Sequence, residues 1–103
     1  MPDPMRIRAS LQGEVTEVKV LMSHVMETGQ RKDADGALVP AHYITTVTAA
    51  HNGRTVLDTC FGAAVSKNPF LGFRFKGGAA GDKVSVTWVD NLGETRTDET
   101  AIA

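Results

Sequence analysis

The feature that most constrains this sequence is a two-residue alternation of side-chain character, repeated in several short runs. In "TEVKVLM", residues 16–22, Glu17 and Lys19 stand between apolar or small residues, which is the pattern of a half-buried β-strand. The runs "FLGFRFK" and "KVSVTWV" repeat this pattern. The side chains predicted to enter a core are Thr16, Val18, Val20, Met22, Leu71, Phe73, Phe75, Val84, Val86 and Trp88.

Turn-forming residues separate these runs. Asn52-Gly53 lies between "YITTVTAAH" and "RTVLDTCF", and an Asn-Gly pair between two β-rich runs strongly predicts a hairpin. A second hairpin is predicted across residues 90–93, and a first strand is predicted near residues 6–10. The total is about seven strands, with turn signals roughly every 8 to 12 residues and no helical stripe. We therefore predict an all-β fold, an immunoglobulin-like antiparallel β-sandwich of about seven strands.

Length and charge limit the classes of function. Residues 1–103 are expected to form a single domain with one hydrophobic core. The formal net charge of -1 comes from 11 basic and 12 acidic residues, which are spread along the chain. This spread argues against nucleic-acid or polybasic membrane contacts, because both need a concentrated cationic face. No apolar run approaches the ~18 to 20 residues of a membrane helix.

The N-terminal segment, "MPDPMRIRASL", contains neither the apolar stretch nor the small-residue cleavage site of an export signal. The residues alone therefore predict a cytoplasmic protein, or a mature chain whose leader has been removed. The single cysteine, Cys60, excludes an internal disulfide.

One group of residues has the spacing of a metal site. Met22, His24 and Met26 would share one face of a continuing strand, where two thioethers and an imidazole could hold Cu(I). An autonomous copper-binding β-sandwich is therefore one functional alternative. The competing interpretation, which we favour, is that both methionines fill the core and His24 marks where the strand meets water. Because His42 and His51 are isolated in sequence, we predict no metal site and no cofactor.

The segment from His24 to Pro40 is long for a hairpin loop, and long loops in compact domains are often functional. It is either a docking surface with charges of both signs or a solvated loop tip. Asp33 and Asp35 resemble part of a calcium loop, but the other oxygen ligands are missing, so a polar turn is predicted. The candidate partner-docking residues are His24, Met26, Glu27, Arg31, Lys32 and Asp33.

Two further residues have alternative interpretations. Cys60 lies in the apolar run "VLDTCFGAA" without neighbouring cations, so we predict a buried or half-buried structural thiol and not a nucleophile. Alternation cannot bury Phe70 on the same side as Phe73. Phe70 therefore either plugs the end of the sandwich or lies exposed as an interface anchor. No spacing suggests a catalytic triad or carboxylate pair, and we predict that the protein is not an enzyme.

Three segments, "SHVMETGQRKDADGALVPAHYI", "VSKNPFLGF" and "VTWVDNLGE", resemble the SoxZ family in this order along the chain. SoxZ is the smaller subunit of the SoxYZ sulfur-carrier complex of bacterial thiosulfate oxidation. The most specific part of the resemblance is the pattern from His24 to Asp33, followed by Gly36 and Pro40. The turn at residues 68–70, Asn-Pro-Phe, is the second.

The resemblance implies a heterodimer with SoxY in the periplasm, co-exported with a partner that bears the signal. In that family SoxY carries the reactive cysteine, on a flexible Gly-rich arm that holds the sulfur intermediates. Cys60 does not lie in such an arm, so it is not the implied carrier thiol. The expected function is that of a non-catalytic scaffold that presents the carrier to Sox enzymes such as SoxAX, SoxB and SoxCD. The loop at residues 27–35 is expected to form or brace the shared surface, and the isolated chain could form a homodimer.

Overall fold

The alternating runs form seven β-strands in the structure, a computed structural model that describes residues 3–62 and 65–103. The strands are β1 (Arg6–Gln12), β2 (Val15–Leu21), β3 (Ile44–His51), β4 (Arg54–Cys60), β5 (Phe70–Lys76), β6 (Lys83–Asp90) and β7 (Thr95–Ala101). The described ranges contain no helix, and therefore none that is long and apolar enough to cross a membrane.

The strands form two antiparallel sheets. One sheet has the order β1-β2-β5, and the other has the order β4-β3-β6-β7. Side chains from both sheets belong to one buried apolar cluster, so the sheets pack face to face. This arrangement confirms the predicted all-β, immunoglobulin-like sandwich of seven strands.

The core follows the predicted alternation. The inward residues of β2 and β6 are fully or almost fully buried, whereas those of β5 are half-buried at the margin of the cluster. Thr16 is the polar member of the β2 stripe, and its hydroxyl donates to the carbonyl oxygen of Gly77 at 2.7 Å. The buried hydroxyl is therefore satisfied, as buried polar groups usually are.

Both predicted hairpins are present. β3 ends at His51 and β4 begins at Arg54, so Asn52-Gly53 forms the two-residue turn between them. β6 and β7 are joined by the turn that follows Asp90. The predicted first strand is also present and extends two residues further, to Gln12.

A half-buried carboxylate joins the two sheets near the N-terminus. Asp98 on β7 accepts a hydrogen bond from the backbone amide of Met5 at 2.9 Å, just before β1 begins in the other sheet. The Arg96 guanidinium donates two further bonds to Asp98, at 2.9 and 2.8 Å. These Arg96 bonds hold the pKa of Asp98 below its ordinary value, although burial acts in the opposite direction.

The molecule is elongated, with extents of 53 × 20 × 19 Å. The antiparallel registers place the end of β2 beside the start of β5, and the start of β3 beside the end of β6. A contact between His24, just after β2, and Asp90, the last residue of β6, brings both pairs to one end of the sandwich. The long β2–β3 connection therefore begins and finishes at that end, which carries the candidate site.

Candidate functional site

Three loops that are distant in sequence meet at this end of the sandwich. The backbone amide of His24 donates to Asn68 Oδ1 at 3.1 Å, and the amide of Asn68 donates to the carbonyl oxygen of His24 at 3.0 Å. The His24 side chain donates from Nε2 to Asp90 Oδ2 at 3.1 Å. The connections before β3, before β5 and after β6 are thereby fastened to one another.

Asp90 is the centre of this arrangement, and its side chain has no exposed surface. Oδ2 accepts from Nε2 of His24 and, at 2.7 Å, from Nε2 of His42. Oδ1 accepts from the backbone amides of Leu92 and Glu94 at 3.0 and 2.9 Å. We call His24, His42 and Asp90 the His-Asp-His node.

Burial of Asp90 acts to raise its pKa, because it removes the charged form from water. The hydrogen bonds from His24 and His42, with those from the amides of Glu94 and Leu92, outweigh burial and hold the pKa below its ordinary value. The carboxylate therefore remains ionised at neutral pH and accepts four hydrogen bonds.

The backbone amide of Met26 fixes which ring nitrogen of His24 carries the proton. His24 Nδ1 lies 3.1 Å from the amide nitrogen of Met26, and an amide N–H can only donate. Nδ1 must therefore be the acceptor, and Nε2 carries the proton that is donated to Asp90. The ring also packs edge-on against Trp88, with ring centroids 5.1 Å apart and an interplanar angle of 90°.

This geometry does not support the copper alternative. Met22 is part of the apolar core, and Met26 Sδ accepts a hydrogen bond from the amide of Ile44 at 3.4 Å. Both ring nitrogens of His24 are occupied, and Nε2 has no lone pair to offer. The node does bring two imidazoles and one carboxylate within 4.8 Å of one another, but a metal ligand usually donates from its second ring nitrogen, and Nδ1 of His24 accepts.

Sequence reasoning missed two members of the node. His42 is isolated in sequence, and Asp90 looks like an ordinary turn residue at the end of β6. The signal that could have found them is strand pairing. Ile44 pairs with Asp90 in the β3–β6 register, and His42 lies two residues before Ile44.

The predicted docking residues divide into a buried base and an exposed loop. His24 and Met26 are buried and support the loop from below, so they are not part of its outer surface. Met26 adopts a positive φ of 50°, which is uncommon for a non-glycine residue. Arg31, Lys32 and Asp33 are exposed.

Most of the exposed loop is held by its own contacts. The Arg31 guanidinium donates three bonds to the Glu27 carboxylate, at 2.9 to 3.1 Å, and these lower the pKa of Glu27. Asp33 Oδ1 accepts from the amides of Asp35 and Ala37, which closes the polar turn predicted there. Lys32 pairs with Leu38 through a backbone bridge, and its side chain remains exposed.

Phe70 is 64% exposed, so it does not plug the end of the sandwich. A Cβ built at Gly72 would meet the Phe70 ring at 3.5 Å, which places the ring along the outer surface of β5. Leu21, its cross-strand partner on β2, is 43% exposed. The two side chains form a small apolar patch on the outside of the three-stranded sheet.

Cys60 is exposed, which corrects the prediction of a buried or half-buried thiol. The apolar run around it suggested burial. However, Cys60 pairs with Thr46 in the β3–β4 register, one position beyond the inward pair Val47 and Thr59. Its side chain therefore points away from the core.

A surface pocket of about 340 Å³ opens beside the node. Its lining includes Ser23, His42, Lys67 and Glu94. His42 Nε2 lies 3.9 Å from Glu94 Oε2 and is the member of the node that reaches solvent. Cationic and anionic groups are mixed in this pocket, so it shows no preference for a ligand of one charge.

The outer faces of the two sheets differ in charge. Along β1, β2 and β5 the outward positions carry the cations Arg6, Arg8, Lys19, Arg74 and Lys76 and the carboxylate Glu17. The outer face of the four-stranded sheet consists mainly of small neutral residues, among them Thr46, Thr48, Ala50, Cys60, Ser85, Thr87, Thr95 and Thr97. Folding therefore gathers on one face cations that are spread along the sequence.

Comparison with solved structures supports the fold. A superoxide reductase (neelaredoxin) from Archaeoglobus fulgidus, a single-residue variant in the reduced form, aligns with a TM-score of 0.60 and 18% sequence identity. The alignment covers 97% of this chain and 86% of that chain. At this identity the likeness extends to the fold alone.

The family comparison reaches further than the structural one. No curated protein sequence matched this chain. The family described as "Sulphur oxidation protein SoxZ" matches residues 5–101. This match spans the loop at residues 27–35, the Asn68 turn and the turn after Asp90, which the structure joins at one end of the sandwich. The chain belongs to the SoxZ family of sulfur-oxidation proteins.

Proposed function

We propose that this chain is a non-catalytic scaffold subunit that pairs with SoxY and presents the covalent sulfur carrier to Sox enzymes in the periplasm. The observation that carries the proposal is the family match over residues 5–101. The chemistry of the candidate site agrees with it. The node uses its buried carboxylate and imidazoles to fasten three loops.

A scaffold beneath a mobile arm needs a rigid end. Each connection at the node end is fixed by side-chain bonds to another connection, and not only by its own strands. Asn91, for example, accepts from the amide of Tyr43 at 2.9 Å and donates to the carbonyl oxygen of Ala41 at 2.9 Å. Such a surface keeps its shape when different enzymes bind in turn, because little has to be ordered on each encounter.

The permanent contact with SoxY is assigned to the neutral outer face of the four-stranded sheet. The centres of stable interfaces are depleted in charged residues, because desolvating a charge is unfavourable. Of the charged positions on this face, Asp58 and Glu99 lie on the flanking strands β4 and β7, and Lys83 lies at the first residue of the central strand β6. The central strands present Thr48 and Thr87 side by side.

Cys60 provides a direct test, since it lies on this neutral face and is exposed. The isolated chain and its complex with SoxY are treated with a maleimide, and modification of the Cys60 peptide is followed by mass spectrometry, which separates it from the carrier cysteine of SoxY. We expect a stable heterodimer in size-exclusion chromatography and slower modification of Cys60 within it. Failure to form the heterodimer contradicts the proposed function, whereas pairing without protection contradicts only the assigned face.

The loop at residues 27–35 is proposed to contribute to the surface visited by SoxAX, SoxB and SoxCD. The side chains of Arg31 and Lys32 are exposed. Glu27 holds the Arg31 guanidinium, and Asp33 closes the turn that follows Lys32. A charged surface of this kind favours fast encounter and fast release over tight binding, which suits a carrier that visits several enzymes.

A further inference from the structure

The outer face of the three-stranded sheet concentrates positive charge. Its outward positions carry five cations, Arg6, Arg8, Lys19, Arg74 and Lys76, against the single carboxylate Glu17. The whole chain has a formal net charge of -1, so this face is strongly enriched in cations. We call it the cationic face.

Only part of this charge is compensated within the face. Glu17 accepts from Arg74 at 3.1 Å and lies 3.6 Å from Lys19, so one carboxylate serves two cations. The Arg74 and Lys19 side chains are nonetheless 72% and 59% exposed. Arg6 and Arg8 are exposed on the edge strand β1, and neither forms an ion pair with another residue in the described part of the chain.

An apolar anchor lies among these cations. The Phe70 ring rests on the outer surface of β5 above Gly72, and Lys19 is the cross-strand partner of Gly72. Leu21 adjoins the ring from β2. An exposed aromatic ring surrounded by cations is a composition typical of binding hot spots, where aromatic and arginine side chains contribute most of the affinity.

The composition distinguishes between kinds of partner. A permanent subunit interface would bury most of these charges at a desolvation cost, so the cationic face suits a transient contact. Sheets that bind single-stranded nucleic acid stack two or three bases on exposed aromatic rings, whereas the outward positions of β1, β2 and β5 offer one ring, Phe70. A protein surface with carboxylates around an apolar centre complements both the charges and the ring.

We infer that the cationic face is a second docking surface, which receives the acidic surface of an enzyme that acts on the carrier. Phe70 and Leu21 contact the apolar centre of that surface, and Arg6, Arg8, Lys19 and Lys76 meet its carboxylates. The inference rests on the proposed function, because that function defines the visiting enzymes. It goes beyond it by placing a docking surface outside the loop at residues 27–35.

Two variants and one matched control test this inference. R6E/R8E reverses two exposed charges on β1, and F70S removes the exposed ring without opening the core. R54E reverses one exposed charge at the start of β4, at the opposite end of the sandwich beside the Asn52-Gly53 turn, and is the control for the single variants R6E and R8E. Each is prepared as the heterodimer with SoxY and as the isolated chain, and binding to purified SoxAX, SoxB and SoxCD is measured by surface plasmon resonance at low and at physiological salt.

For at least one enzyme we expect R6E/R8E and F70S each to weaken binding about tenfold, while R54E changes it less than about twofold and less than R6E or R8E alone. The R6E/R8E loss should shrink as salt rises, whereas the F70S loss should persist. Unchanged affinity for all three enzymes overturns the inference. So does loss of SoxY pairing in R6E/R8E, because the face would then belong to the permanent interface.

The same samples separate this inference from the proposed function. If the wild-type chain fails to pair with SoxY, the proposed function is contradicted, and the isolated chain still tests the cationic face against the enzymes. A short duplex DNA and anionic lipid vesicles serve as further probes. If R6E/R8E abolishes binding to either probe and leaves the enzymes unaffected, the face is not a docking surface for protein.

Discussion

His24 and Asp90 are 66 positions apart in the chain, and their buried side chains meet at 3.1 Å between Nε2 and Oδ2 in the node. The contact has a defined direction. The amide of Met26 occupies Nδ1 of His24, so the imidazole donates and the carboxylate accepts. His42 donates to the same carboxylate oxygen, which makes Asp90 the shared acceptor of two rings.

The first prediction concerns removal of that acceptor. In Asp90→Ala two imidazole N–H groups and two backbone amides lose their partner, and we expect the free energy of unfolding to fall by about 3 to 5 kcal/mol. Asp90→Asn keeps an oxygen for the amides of Leu92 and Glu94 but presents N–H groups to the rings, so a loss of about 1 to 3 kcal/mol is expected. Urea denaturation followed by tryptophan fluorescence measures both. Equal stability of the Asn variant and the wild type would show that the imidazoles do not depend on this carboxylate.

The second prediction concerns acid stability. The pKa of Asp98 is lowered in the folded state, mainly by Arg96, so its stabilising effect is complete above the unfolded pKa of about 3.9 and disappears as pH falls through the folded value. Asp98→Asn should lower stability by about 1 to 2 kcal/mol at neutral pH, because the bonds from Arg96 and Met5 lose a charged acceptor. The difference between variant and wild type should shrink below about pH 4. Denaturation curves across this range check it, and a difference that does not change with pH would be inconsistent with the assignment.

The third prediction compares two glycines that share a positive φ. Gly29 (φ 86°) and Gly36 (φ 80°) both lie in the long loop, but only at Gly29 would a Cβ approach a neighbour closely, at 3.1 Å from Ala41 Cβ. Gly36→Ala should cost about 1 kcal/mol of stability for its backbone conformation. Gly29→Ala should cost about 1 to 2 kcal/mol more, because the Ala41 side chain must move. Equal costs, measured by thermal unfolding, would show that the loop relaxes freely at Gly29.

The fourth prediction concerns the loop at residues 27–35. An Arg31→Ala, Lys32→Ala double variant should keep the proposed heterodimer with SoxY but slow turnover with at least one Sox enzyme, roughly tenfold at low salt and less at high salt. Single variants separate two causes. Arg31→Ala also releases Glu27, whereas Lys32→Ala removes only an exposed charge. Steady-state rates with each enzyme provide the measurement, and unchanged rates with every enzyme would refute a docking role for this loop.

The fifth prediction concerns metals. Nε2 of His24 carries a proton, and Met22 and Met26 are buried. We therefore expect the protein to retain well below one copper or zinc ion per chain after loading and desalting. Elemental analysis of the desalted protein measures this. Stoichiometric binding that disappears in His24→Gln would show that a metal displaces a hydrogen bond of the His24 ring, and would contradict this prediction.

The strands could be predicted because their signals are local. Alternation from Thr16 to Met22 and the Asn52-Gly53 turn depend only on neighbouring residues, and both are found as expected. The node could not be predicted in this way. His42 and Asp90 meet His24 only because β3 pairs with β6 and the sheet that contains β2 packs against them. Neither the pairing nor the packing can be read from the spacing of residues along the chain.

The solvent exposure of individual side chains was also difficult to predict from local patterns. Cys60 looked buried because its neighbours are apolar, but strand parity turns it outward. The alternation around Phe70 allows either a plug or an exposed ring; its exposure excludes the plug, and the ring lies beside Gly72 on the outer surface of β5. The cationic face likewise became visible only after three strands were placed side by side.

The difference between the two outer faces has a consequence for how the protein approaches a partner. With a formal net charge of -1, the chain as a whole is attracted only weakly by a charged surface. However, positive charge concentrated on one side gives the sandwich an electric dipole across its thin dimension. In the field of an acidic protein this dipole exerts a torque, which rotates the β1-β2-β5 side forward before any atoms touch. The fold can therefore orient an encounter that its total charge would leave random.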